Sequence, residues 1–352
     1  MATPLLRSVP LLALAGALAA QSYVVTPTLV EKTEGNANNS YPWANTSHYM
    51  QLHGDLKGTP RAFTGIAWRR DGTLGNTSSY TPRTLDMEIH MGDGSLASAS
   101  TTFASNYLNT PVNVFTRKNV NTPDWIARRD SEPTAWDFAL VLDVPYAYTG
   151  SNDLVYEIVI HANSALPNFF AADSVSSTAS ASWNGSYQAA GTGCTTANGV
   201  MGLRCLPSAS PTTQLITLRW GIERGPSSAQ TTILIGLADP NLPVPGLCTN
   251  LRTDGTLISL GTTTGTTGNV TTPALTVPYS QGLAGFPFTC QAFALDQGQG
   301  GIPVAGSNGL AVTMPTLPAT PPGIARIFAQ GSPTATSGTL SNGTGLVTRL
   351  RY

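Results

Sequence analysis

Short runs that alternate apolar and polar residues, each bounded by Gly, Pro, Asn or Asp, recur along this chain and restrict it more than any other feature. Trp136-Asp-Phe-Ala-Leu-Val-Leu-Asp143 sets Trp136, Phe138, Leu140 and Leu142 on one side. Leu154-Val-Tyr-Glu-Ile-Val-Ile-His161 does the same with Leu154, Tyr156, Ile158 and Ile160. Period two is the pattern of a strand with one face in a core. Further runs lie at 23–30, 62–69, 85–91 and 112–118, and Asp71-Gly72 and Asp93-Gly94 supply turn dipeptides after two of them. No window holds an i, i+3, i+4, i+7 apolar stripe for three turns. The expectation is an all-β protein: two antiparallel β-sandwich domains in tandem, with a C-terminal strand-forming tail.

Composition changes near residue 190. All four histidines (His48, His53, His90, His161) and 15 of the 19 acids lie in 21–188. From Cys194 to Pro318 the acids are Glu223, Asp239, Asp254 and Asp296. That stretch reads as strands at 214–222, 231–237, 257–260, 274–278, 288–295 and 310–314, with Gly261-Thr-Thr-Thr-Gly-Thr-Thr-Gly268 as an exposed loop. Leu317-Pro-Ala-Thr-Pro-Pro-Gly323 reads as a stiff linker. The expected division is a signal peptide (1–20), an N-terminal sandwich (21–188), a disulfide-containing sandwich (189–318), and a linker with a hairpin of 324–330 and 346–352 (319–352). A lone hairpin is marginal in water. It must dock on its own chain or on a neighbouring copy, the latter giving self-association by strand addition.

Residues 1–20 carry Arg7, a short apolar core over 9–18 and small residues before a cleavage site near Ala19 or Ala20. The apolar run is about ten residues, half of what a membrane span needs, so the mature chain is expected to be secreted or displayed at the cell surface, without a transmembrane segment. Export favours disulfides. Four cysteines permit three pairings, and Cys194–Cys205 with Cys248–Cys290 is the expected one. The formal net charge of −1 and the presence of only three lysines (Lys32, Lys57, Lys118) exclude nucleic acid as a partner.

The second half resembles a module of uncharacterised exported two-domain β-sandwich proteins of planctomycete-type bacteria, through Gly191-Thr-Gly-Cys194, Leu234-Ile-Gly-Leu-Ala-Asp-Pro-Asn-Leu-Pro243, Gln291-Ala-Phe-Ala-Leu-Asp296 and Ser307-Asn-Gly-Leu310. The first half is similar to the domain that precedes it, through Glu34-Gly35, Thr64-Gly-Ile-Ala-Trp-Arg-Arg-Asp-Gly72, Ser100-Thr-Thr-Phe-Ala-Ser-Asn106 and the 136–143 strand. The resemblance implies a secreted or surface-displayed all-β protein and brings no catalytic residues.

The strongest cluster of chemistry-bearing residues is on Leu85-Asp-Met-Glu-Ile-His-Met91. Asp86, Glu88 and His90 share one face, about 6.6 Å apart along the strand. Such a row offers metal ligands, with Asp93 as a further oxygen donor for calcium, or two carboxylates flanking a glycosidic bond. The plainer reading is the wet face of an antiparallel sheet. Glu157 and His161 form a second such pair. Trp43, Trp125 and Trp183 lie in polar stretches and are candidates for sugar stacking; Trp68 and Trp136 read as core. Nucleophile elbows, zincin motifs, P-loops and dinucleotide fingerprints do not occur. The sequence therefore favours a non-catalytic structural or adhesive protein whose partners are itself, other surface proteins or polysaccharide. The alternative is a glycan-binding module or hydrolase using Asp86, Glu88 and His90.

Overall fold

A computed structural model describes residues 21–39, 41–72, 80–126, 131–165, 169–177 and 181–352. The leader expected over residues 1–20 lies outside the described residues. The fold is all-β; among the described residues the helical pieces are the single 3-10 turns Thr28–Val30, Leu96–Ser98 and Phe103–Asn106. Every ladder is antiparallel. The alternating runs become strands Arg61–Trp68, Thr84–Gly94, Val112–Asn121, Phe138–Tyr148 and Asp153–Asn163.

These strands form two facing sheets. The six-stranded sheet runs Thr339–Asn342, Ile324–Gln330, Ser47–His53, Asp153–Asn163, Thr84–Gly94, Val112–Asn121. The four-stranded sheet runs Tyr23–Thr26, Thr348–Arg351, Arg61–Trp68, Phe138–Tyr148. One core joins them, with Tyr49, Met87, Ile89 and Ile158 from the first sheet against Phe63, Trp68, Phe138 and Leu350 from the second. Trp43 fills its end, edge-on to Trp68 and Phe138.

The segment expected as a separate linker and hairpin has another place. Ile324–Gln330 and Thr348–Arg351 do not pair with each other. The first aligns with Ser47–His53 over its whole length, and the second is inserted between Tyr23–Thr26 and Arg61–Trp68. A marginal hairpin gains far more by completing two sheets than by standing apart. Both tail strands are therefore used within the chain.

A second set of sheets comes from residues between these. The long sheet runs Ile258–Thr263, Gln230–Gly236, Pro287–Leu295, Gly309–Thr313, Ser186–Ala190, Ser131–Glu132. It covers a four-stranded sheet (Trp183–Asn184, Ser208–Ser210, Leu215–Leu218, Leu275–Pro278) and a three-stranded one (Gly202–Cys205, Trp220–Glu223, Val270–Thr271). Ile233, Ala292 and Leu310 meet Ile216, Leu218, Trp220 and Ile222 in its core. Two boundaries move. Trp183–Asn184 already belongs to this set, and residues 261–263 of the expected threonine-rich loop are strand, aligned with Gln230–Thr232.

The cysteines also differ from expectation. Cys194 is bonded to Cys248, and Cys205 and Cys290 are buried thiols. Nearness in sequence misleads here: the Thr195–Val200 hairpin carries the chain inward, so Cys205 sits opposite Trp220, whose indole N–H reaches Cys290 Sγ at 3.3 Å. Burial pushes the Cys290 thiol up to about 12, and Cys205 rises too, from burial and then from its neighbour Cys290.

Where the two sets meet, charge is buried. Arg69 Nε donates to Asp173 Oδ2 at 2.7 Å while its Nη2 donates to the carbonyls of Val30 and Thr33. Gly35 N–H donates to the other Asp173 oxygen at 2.9 Å, and a Cβ on Gly35 would lie 2.1 Å from Ser174 O, so no larger residue fits. Glu34 N–H donates to Gly185 O, and Asn184 Nδ2 donates to Gly35 O, tying this knot to the second set.

Candidate functional site

Sheet order brings Ser47–His53, Asp153–Asn163 and Thr84–Gly94 side by side, and their registers decide which side chains share the outer face. One row reads His48, Val159, Glu88; the next reads Met50, Glu157, His90. Directly opposed residues lie on the same face and diagonal neighbours are within reach of long side chains. A register shift between Asp86 and Met87 leaves His161 as an extra residue on its strand, and such a bulge re-aims a side chain. The His161 ring reaches Glu88.

The result is a ladder in which each carboxylate is set between histidines. Glu88 Oε1 bonds His161 Nε2 at 2.9 Å. Its Oε2 accepts from Asn113 at 3.2 Å and lies 3.4 Å from His90 Nε2. Glu157 Oε1 bonds His48 Nε2, and Oε2 accepts from Tyr107 Oη at 2.7 Å. Burial alone would raise Glu157, but His48 and Tyr107 outweigh it and hold the carboxyl below its usual range. His48 Nδ1 faces Ala335 O at 2.7 Å. A carbonyl only accepts, so Nδ1 is the donor there. The ring also lies flat on Phe103, centroids 3.5 Å apart.

Two loops are thereby fastened to the sheet, one through Phe103 and Tyr107 and the other through Ala335. Beneath them lies an apolar patch of Met50, Leu52, Val155 and Ile327. A cleft of about 790 Å³ opens beside this cover, lined by His48, Glu157, Phe103, Tyr107, Asn109 and Thr336. Asp86, Glu88 and His90 are not among its lining residues.

The residues expected to carry chemistry are thus divided. Asp86 leaves the cluster for Arg117, with bonds of 3.0 and 2.7 Å that hold its carboxyl below the ordinary range. Glu88 and His90 join the ladder together with Glu157 and His161, so the two expected pairs form one row. Asp93 is turned to the opposite face, where Tyr146 of the facing sheet donates to it at 2.9 Å. It cannot serve as a further calcium ligand beside Glu88. Among the described residues no group of His, Cys, Asp and Glu is placed to hold a metal ion. The tryptophans proposed for sugar stacking are in the interior: Trp43 is fully buried and Trp125 and Trp183 are 2% and 6% exposed. His53 lies on the inner face and bonds Thr26 and Gln51.

His48, Phe103 and Tyr107 were not among the expected site residues. Ser47–His53 is buried along its whole length, so its sequence lacks the one-sided alternation that marks a half-exposed strand. Its partner Glu157 is 109 residues away.

No family model matches the chain, and no curated protein matches it. In this ladder the oxygens of Glu157 and both nitrogens of His48 already have partners within the protein. The arrangement holds loops to a sheet.

Proposed function

We propose that this chain is a non-catalytic structural or adhesive protein of the cell exterior. The observation that carries the reading is the commitment of the outer-face acids and histidines to one another and to the covering loops. An enzyme or lectin built on this face would need Asp86, Glu88 and His90 to converge in a hollow beside an exposed ring. Asp86 is instead bound to Arg117, Phe103 is 3% exposed beneath His48, and the half-buried Tyr107 gives its hydroxyl to Glu157. The Cys194–Cys248 disulfide supports an oxidising location. So does the leader-like pattern of residues 1–20.

Fractionation of the host, with antibody to the mature protein, tests this. The expected result is protein held at the cell surface or in extracellular polymer, and purified protein that leaves glycans unhydrolysed. Hydrolysis of a glycan substrate, lost in folded Glu88→Gln or Glu157→Gln, would overturn it.

A further inference from the structure

A strand at a sheet edge presents unpaired N–H and C=O groups, and natural proteins blunt such edges with charge, proline, bulges or brevity. The long edges of the first sheets follow this rule. Val112–Asn121 carries Arg117 and Lys118, and Phe138–Tyr148 carries Asp143 and Pro145. They are also clasped together, since Thr116 and Lys118 both bond Asp143. In the second set, Leu275–Pro278 ends in proline and Gly202–Cys205 carries Arg204.

Ile258–Thr263 is different. It closes one end of the long sheet, pairs only with Gln230–Gly236, and runs six residues without charge, proline or register shift. Among the described residues it is the longest edge strand without one of these guards. Ile258 is 46% exposed and the preceding Leu257 47%. The opposite end of the same sheet is already capped by Ser131–Glu132. Among the described residues this is therefore the long unguarded edge to which an incoming copy can add, and the simplest closed assembly is a two-fold dimer.

The geometry points to an antiparallel pairing of Ile258–Thr263 with the same strand of a second copy, the two-fold axis passing between the Gly261 residues. The register follows from the existing ladder. Thr264 N–H donates to Ala229 O at 3.0 Å, so alternation turns the N–H and C=O groups of Ser259, Gly261 and Thr263 outward. These can meet their counterparts as Ser259 with Thr263 of the copy and Gly261 with Gly261. Leu260 and Thr262, which face the core side, then lie opposite each other across the junction. Charge does not oppose the approach: between Cys194 and Pro318 four arginines balance four acids, with no lysine. The inference goes beyond the functional reading above and holds wherever the protein resides.

Gly261 gives the test. A Cβ there meets nothing within 4 Å and its φ is not positive, so substitutions leave the fold intact. The mature full-length protein is expected to sediment as a dimer, and Gly261→Lys as a monomer with an unchanged melting profile. Gly261→Cys under mild oxidation is expected to crosslink to itself, because hydrogen-bonded partners stand about 5.5 Å apart, within disulfide range. Ser259→Cys alone is expected not to crosslink, whereas a mixture of Ser259→Cys and Thr263→Cys chains is. A wild-type monomer up to millimolar concentration, a dimer that survives Gly261→Lys, or open-ended fibres would each overturn the pairing.

Discussion

The first set of sheets is closed by strands from opposite ends of the chain, with Tyr23–Thr26 against Thr348–Arg351 and Ser47–His53 against Ile324–Gln330. The second set is built almost wholly from residues between Trp183 and Thr313, with Ser131–Glu132 as its one outlying strand. The first holds buried ion pairs and a histidine–carboxylate ladder; the second has an apolar core, a disulfide and very little charge. Two sandwich-like assemblies in one chain thus rely on different means. The first adds chain closure and buried charge to its apolar core, while the second adds a covalent link to its own.

The largest test of this difference is truncation. A chain ending at Pro318 loses a strand from the interior of each of the first two sheets. Expected is loss of the first assembly, seen as rapid amide exchange in Ser47–His53, Thr84–Gly94 and Asp153–Asn163, while the core around Ile233 and Trp220 stays protected. Equal protection of both in the truncated chain would show that the tail strands only decorate the sheets.

Next in size is the buried pair. Asp173→Ala leaves Arg69 charged and unpaired, and breaking such a pair costs about 3–5 kcal/mol. The loss is expected in the unfolding of the first assembly by denaturant. A change below about 1 kcal/mol would mean that the Val30 and Thr33 carbonyls alone satisfy Arg69. Comparable in kind for the second assembly is Cys194→Ser with Cys248→Ser. The bond closes a separation of 54 residues, for which chain entropy gives about 4 kcal/mol. The effect is expected in the second assembly only. A fall in both midpoints would show that the two unfold as one unit.

The strands were legible wherever a single face is buried. The runs at 85–91 and 138–142 sit inside observed strands in which buried residues alternate with less buried ones. Legibility failed for Ser47–His53, where covering loops bury the outer face as well. It failed again for the tail, since which strand lies beside Ile324–Gln330 is a matter of long-range register, not local pattern. Four members of the ladder, Glu88, His90, Glu157 and His161, were visible on alternating positions, together with Asp86, which the structure assigns to Arg117 instead. That the two strands are neighbours, that His48 completes the row and that Asp93 faces inward all depend on sheet order. The disulfide was misassigned for a similar reason, because strand direction, not sequence distance, sets which thiols meet.

The smallest effect expected is a slope, and its sign separates the buried groups. His53 is fully buried and pushed down to about 3 by that burial. Its folded value lies below the unfolded one, about 6.5, so its contribution is present above about 6.5 and is lost as pH falls towards 3. Asp173, raised to about 6 by burial against the opposing pull of Arg69, acts in the other direction. Its contribution is present below the ordinary carboxylate range and is lost as pH rises through about 6, and Glu34, raised chiefly by burial, adds to that loss. Asp55 and Asp137, also raised chiefly by burial, act in the same direction, so between pH 4 and 6 His53, which favours higher pH, opposes these four acids, which favour lower pH. His53→Gln removes one side of the balance and keeps a polar group for Thr26. Relative to the wild type, the stability of the first assembly is then expected to fall by about 1.4 kcal/mol more for each unit of rising pH, the value for one proton. Urea midpoints at pH 4, 5 and 6, read by amide exchange in each assembly, measure it. An unchanged slope in His53→Gln would mean that the buried ring is charged in the folded protein. The second assembly provides the internal control, since its groups driven up by burial, Cys205 and Cys290, titrate far above this window.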